Sequence, residues 1–258
     1  MAGLLAGLGE RLASYLSAPT HLHGVGRPSR PEELLAALRP GDVLLVEGQT
    51  RVSTAIKFLT QSTWSHAALY VGPHLAREGG PDDHCFVEAD IKEGVRSTTV
   101  DEYAGLNTRI CRPVGLGPQE CRAVVDYVIS RLGHQYDLRH VFDLARYLLP
   151  TPPVPTRFRR RMIALGSGDP TRAICSTLIA QAFQSIRYPI LPDVEYLDAD
   201  APNCPGCIEE VLHIRHHSLF VPRDFDVSPY FEVVKPTIAA GFDHHRLRWS
   251  QDSEPRAA

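Results

Sequence analysis

Lysine is almost missing from this chain: of 27 basic residues only Lys57, Lys92 and Lys235 are lysines, and the rest are arginines. The skew fits the base composition of a genome and carries no functional reading. Positive charge is not in excess either, since 27 basic against 30 acidic residues leave a formal charge of −3. A nucleic-acid-binding module therefore has no general electrostatic support. No apolar run approaches the roughly 20 residues of a membrane-spanning helix, so a transmembrane segment is not expected. The N-terminal stretch MAGLLAGLGERLASYLSAP lacks the basic start of a secretory signal, and Glu10 and Arg11 break it before an apolar region forms. That reading puts the protein in the cytoplasm. Cysteines 85, 111, 121, 175, 204 and 207 are scattered along a chain long enough to bury its own core, so a disulfide scaffold is not needed and thiols are expected.

With 43% hydrophobic and 22% charged residues, the chain has the composition of a globular protein. Three regions are expected: an N-terminal helical segment (1–38), a core (39–190) and a C-terminal extension covering it (191–258). Leu4, Leu5, Leu8, Leu12, Tyr15 and Leu16 recur at helical spacing. A helix docked on its own domain is favoured there over one lying on a membrane surface, because the Lys/Arg-rich polar face of membrane-surface helices is lacking. Pro31 to Leu38 reads as a short helix ending at Arg39-Pro40-Gly41. GDVLLVEG, SHAALYVG, HCFVEAD and TRICRP read as strands, VSTAIKFLTQ and Gln119 to Leu132 as helices, with Gly133 closing the second. A further helix is expected from Tyr136 to Tyr147, then a proline-stiffened connector carrying Arg157 to Arg161. ICSTLIAQAFQSI has Leu178, Ile179, Ala182, Phe183 and Ile186 on one helical stripe. The remainder is expected to wrap over the surface before a last strand, PYFEVVKP. Cys85, Cys111 and Cys121 fit the common role of small buried hydrophobes.

Cys175 falls at the start of that predicted helix. A helix N-terminus offers partial positive charge and free N–H groups, which favour a thiolate and can stabilise an oxyanion. His66 opens an apolar strand and shares its face with Ala68 and Tyr70, from which it can project toward a helix packed on that face. Glu88 lies in the next strand, FVEAD. Adjacent strands can thus carry an imidazole and a carboxylate side by side, the carboxylate fixing the tautomer and orientation of the imidazole.

GDVLL, WSHAALYVG, FVEAD, GHQYD and ICSTLIAQAF, in this order, resemble the YiiX/YebB-like branch of the NlpC-type cysteine hydrolases over about Arg39 to Ile186. This is a circularly permuted papain-like family, also similar to the lecithin:retinol acyltransferase group. The resemblance implies an α+β fold, with a small antiparallel sheet packed against the cysteine-bearing helix and followed here by a long C-terminal extension. It makes Cys175 the nucleophile, His66 the general base and Glu88 the residue that orients the imidazole. Tyr136 in GHQYD would line the substrate pocket, and neither cofactor nor metal is implied. The order His66, Glu88, Cys175 is what permutation requires. The 22 residues between His66 and Glu88 include a Gly/Pro/Asp loop. RHHSLFVPRDFDVSPYF would cover or complete the site.

The expected reaction is thiolate attack on a carbonyl through an acyl-enzyme. The favoured substrate is an amide bond in a small peptide or cell-wall-derived fragment, with Arg223, Asp224 and Asp226 as charged partners. A lipid acyl substrate, hydrolysed or transferred at the cytoplasmic membrane face, is the alternative, reached by peripheral contact through the N-terminal stripe or Arg157 to Arg161. A different class also stands open: a non-catalytic or zinc-stapled binding module, because Cys204 and Cys207 with His213, His216 and His217 form a CxxC knuckle followed by histidines. The Cys207-to-His213 interval is short for a zinc finger, and His213 to His217 could instead supply a base.

Overall fold

The computed structural model describes residue 18 and residues 28–134, 174–201 and 204–246. Helix α1 (Pro31–Ala37) starts on a proline with Glu32 and Glu33 in its first turn, both suited to a helix N-terminus. β1 (Val43–Val46) is VLLV, buried at every position because both of its faces are covered. α2 (Arg51–Thr60) is capped by the Thr50 hydroxyl, which accepts from the Ser53 N–H at 3.2 Å, and stops where Gln61 turns left-handed at φ 51°. β2 (His66–Tyr70) leads through the helical turn α3 (His74–Arg77) to β3 (Phe86–Asp90) and β4 (Gly94–Thr98). β5 (Thr108–Pro113) precedes α4 (Pro118–Ile129), where the Glu120 carboxylate accepts the Gly117 N–H at 2.8 Å. α5 (Ile174–Ser185) carries the apolar stripe. β6 (Asp193–Ala201), β7 (Cys204–His213), α6 (Pro222–Val227), β8 (Phe231–Val234) and α7 (Pro236–Ala239) complete the described chain.

The main sheet runs β4-β3-β2-β1-β5-β8 with every neighbour antiparallel. This is the α+β arrangement expected from the sequence. Period-two alternation divides its side chains between two cores. Val43, Leu45, Ala67, Leu69 and Val87 pack against α4 and α5, while Leu44, Val46, Ala68, Phe86 and Ile110 pack against Leu34 and Leu38 of the N-terminal side. The continuous apolar run of β1 follows from that double burial.

Two strand regions differ from the expectation. β4 is not evident in the sequence because GVRST has little apolar signal, yet it pairs with β3 in full register, Glu88 opposite Arg96. Residues 193–213, expected to wrap over the surface, form instead a two-stranded ribbon with Val194 opposite Leu212 and Tyr196 opposite Glu210. Asp193-Val194-Glu195-Tyr196 alternates polar and apolar as a strand does, but its acidic residues resemble loop composition. The N-terminal stripe, the predicted helix Tyr136 to Tyr147 and the arginine-bearing connector lie outside the described residues.

After the ribbon the chain returns to the core. Phe220, Phe225 and Phe231 are buried with Phe183 of α5, and Phe225 and Phe231 meet edge to face at 5.5 Å. Phe225→Ala should therefore lower the unfolding free energy by about 3–5 kcal/mol in denaturant titration. A loss below 1 kcal/mol would show that the segment after the ribbon adds no core.

Candidate active site

The loop before β2 is tied to the end of β1. The Ser65 N–H donates to the Val46 carbonyl at 3.1 Å, and the Ser65 hydroxyl accepts the Gly48 N–H at 2.9 Å. That anchoring puts His66 opposite Val46 at the first position of β2. On β3, Glu88 sits opposite Ala68, one pleat from His66 on the same face. The imidazole Nε2 and Glu88 Oε2 are 2.5 Å apart. With Nε2 committed to the carboxylate, Nδ1 is the ring nitrogen left for the Cys175 thiol, which hydrogen-bonds the imidazole. The structure thus brings together Cys175, His66 and Glu88, from three elements distant in the chain.

The route to this contact differs from the sequence argument. α5 packs on the opposite face of the sheet, against Ala67 and Leu69, not on the face that His66 shares with Ala68 and Tyr70. The imidazole still meets the sulfur because His66 is the strand's first residue and Cys175 lies in the first turn of its helix. Contact is made at the end of the sheet and not across a face. Cys175 is 5% exposed, a thiol at the floor of the site.

Glu88 is only 3% exposed, and a carboxylate so buried must be surrounded by donors. Besides His66, the Tyr103 hydroxyl donates to Oε2 at 2.7 Å, and Arg96 donates to Oε1 through Nε at 2.9 Å and a terminal nitrogen at 2.7 Å. Burial by itself would raise the carboxyl's pKa. The His66 charge, the hydrogen bonds from His66 and Tyr103, and the Arg96 guanidinium more than reverse this and hold it at about 2. For His66, burial would favour the neutral ring, but the Glu88 charge and the charge and hydrogen bond of Cys175 win, so its pKa lies well above the ordinary histidine value. Burial, followed by the Glu88 charge, pushes the Tyr103 phenol well up, keeping it a donor. The site thus sets a His66 ring whose charged form is favoured against a carboxylate that is ionised near neutrality.

Tyr103 and Arg96 were not anticipated. Arg96 could have been found by reading Asp90 to Gly94 as a hairpin turn, which sets β4 beside β3. Tyr103 sits in a single 3₁₀ turn, Val100–Tyr103, with no periodic signal. Tyr136 lies outside the described residues. Asp224 is occupied locally, accepting the Val221 N–H at 2.9 Å, whereas Arg223 and Asp226 line an open cleft with Trp64.

The shared metal reading meets a geometric obstacle. Cys207 and His213 stand six residues apart on the extended strand β7, about 20 Å at 3.3 Å per residue, too far for one ion. His213 Nε2 instead faces Glu195 at 2.6 Å, and His216 Nδ1 lies 2.8 Å from the Ser218 hydroxyl. Among the described residues, clustered ligand atoms occur at Asp243, His244 and His245, all exposed.

Comparison with known proteins found similarities of sequence and of structure. Residues 37–147 match the family model described as permuted papain-like amidase enzyme, YaeF/YiiX, C92 family. The matched stretch contains His66 and Glu88 and ends before Cys175. The crystal structure of the metalloprotein yiiX from Escherichia coli O157:H7 is similar over 77% of this chain and 97% of its own, at 15% sequence identity and TM-score 0.44. No curated protein matches the chain.

Because Glu88 is held near 2 in the folded protein, against an ordinary value of 4.5, its ionisation stabilises the fold fully above pH 4.5. This contribution is lost as pH falls toward 2. The stability advantage of wild type over Glu88→Gln, followed by urea unfolding, should therefore shrink between pH 5 and pH 2. An advantage constant over that range would show that Glu88 is not held as an ionised carboxylate.

Proposed function

We propose that this chain, which carries a YiiX-like permuted papain-like module in residues 37–147, is a cysteine hydrolase that cleaves an amide bond in a small peptide or cell-wall-derived substrate. The observation that carries the reading is the continuous chain of contacts from Cys175 through His66 to the buried Glu88.

In this reading the Cys175 thiolate attacks the amide carbonyl and forms a carbon–sulfur bond, while the carbonyl oxygen takes the negative charge. N–H groups at the start of α5 are suited to receive that charge. Collapse breaks the carbon–nitrogen bond, and the departing amine takes the proton held by the His66 imidazolium. Neutral His66 then removes a proton from water, which attacks the thioester and releases the acid and the thiol. Glu88 stays ionised throughout, holding the ring and its charge. It cannot serve as the acid, because a carboxyl held at about 2 keeps no proton near neutrality.

The cleft next to Trp64 favours a polar substrate over a lipid chain. It has a volume of about 650 Å³ and is lined largely by charged and hydroxyl-bearing side chains, whereas an acyl chain would need an apolar channel. Among the described residues no helix is long and apolar enough to cross a membrane. The free thiols Cys85, Cys111, Cys121 and Cys175 suit a reducing compartment such as the cytoplasm.

The test is thiol reactivity mapped by peptide. Burial holds Cys85 at about 11 and Cys111 at about 12, so both should be inert near neutrality. Limiting iodoacetamide at pH 7 should label Cys175 ahead of them, and His66→Ala should slow Cys175 labelling at least tenfold. Cys175 labelling equal in wild type and His66→Ala would overturn the assignment. Cys175→Ala should abolish release of amine from any peptide amide the wild type cleaves.

A further inference from the structure

Trp64 is buried against Asp226, donating its indole N–H to Oδ2 at 3.0 Å, and carries the Arg109 guanidinium 4.9 Å above its ring. Arg109 also donates to Asp226 Oδ1 at 2.6 Å. The facing wall holds Lys57, which donates to the Gly48 carbonyl at 3.1 Å and lies 3.6 Å from Glu47. Arg223, exposed at the lip, donates to the Thr60 carbonyl at 3.3 Å.

Donors and acceptors in this cleft are unequally used. The Glu47 side chain is 5% exposed, takes Lys57 on one oxygen and the Asn107 amide on the other at 3.0 Å, and so faces inward. Both oxygens of Asp226 are engaged, and it is 18% exposed. A guanidinium has five N–H donors, and among the described residues Arg109 and Arg223 each commit one N–H to a protein acceptor. The carboxylates are therefore spent on the walls, while the guanidinium groups that line the cleft keep donors to spare. Such a site lacks what an ammonium ligand would need and offers what a carboxylate needs.

The cleft adjoins the thiol by two routes. Trp64 is two residues from His66, about 7 Å of extended chain. On the other side the Ser176 hydroxyl, next to Cys175, donates to the Phe220 carbonyl at 2.9 Å, and Phe220 leads directly into α6 with Arg223 and Asp226. Two or three residues of peptide span that reach.

We propose that the cleft bordered by Trp64, Lys57, Arg109 and Arg223 binds a carboxylate of the peptide substrate and selects acidic or C-terminal peptides for the thiol. The proposal rests on the cysteine-hydrolase reading for its purpose but not for its measurement. Trp64 reports binding directly once Trp249→Phe removes the other tryptophan, and Cys175→Ala prevents turnover. The double variant is titrated with acetyl-Ala-Ala as the free acid and as its C-terminal amide, following tryptophan fluorescence. The acid should bind about tenfold more tightly, the worth of one charge-assisted contact. Arg223→Gln should bring the two within about twofold, and Arg223→Lys should restore part of the difference. Equal affinity for acid and amide would overturn the proposal, as would a tenfold preference that survives both Arg223→Gln and Lys57→Met. Glycerol phosphate binding more tightly than the acid peptide would also overturn it and point to a phosphate headgroup. Failure of the hydrolase reading has a different signature: wild-type Cys175 unreactive to iodoacetamide while the cleft still prefers the acid.

Discussion

A carboxylate buried to 3% exposure in the second strand of a sheet is costly unless each oxygen is occupied, and the architecture around Glu88 answers that demand. Arg96 comes from β4, Tyr103 from the turn that follows it, and His66 from β2. Three strands must therefore stay in one register. Slipping β3 by one residue would point Glu88 into the apolar face now filled by Val87 and Ala89, and would carry it away from all of its donors. The arrangement of His66 on Glu88 and the strand register are enforced by the same buried charge.

That charge is also shared out. Arg96 holds one oxygen of the carboxylate, while Tyr103 and His66 divide the other. In the proposed mechanism a Cys175 thiolate and a His66 imidazolium beside Glu88 and Arg96 would sum to zero charge, which suits a site mostly closed to water. Attack on a carbonyl in the proposed reaction would withdraw one of the two anions that favour the imidazolium. The ring would then give up its proton more readily, at the stage when the leaving amine of the proposed reaction needs one.

Much of this was legible in the sequence, and what was not has identifiable causes. β1, β2, β3, β5 and β8 announced themselves as apolar runs, and α5 as a stripe at helical spacing, because burial on one or both faces leaves a periodic record. β4 and the ribbon left little record, since an edge strand and an exposed hairpin need few apolar residues. Their pairing is a tertiary fact. Cys175, His66 and Glu88 could be picked out by residue type and placement, but the face argument for His66 failed. Period two fixes which way a side chain leaves the sheet, yet at the first residue of a strand no neighbour confines it. Arg96 and Tyr103 were invisible for the complementary reason: an arginine and a tyrosine on a surface-like stretch look the same whether they meet solvent or a buried acid.

The segment following the cysteine helix joins the placement of Cys175 to cleft shape. Phe183 of α5 packs on Phe225 and Phe231, and the Ser176 hydroxyl is held by the Phe220 carbonyl. The position of the helix start thus depends on residues beyond the ribbon. The same short helix that buries Phe225 presents Arg223 and Asp226 to the cleft. Because 3.6 residues make a turn, Phe225 cannot shift toward or away from the core without moving the residues on either side of it. Changes in packing behind α6 are transmitted both to the thiol and to the donors at the cleft mouth. The position of the sulfur and the position of Arg223 and Asp226 thus rest on one packed aromatic cluster.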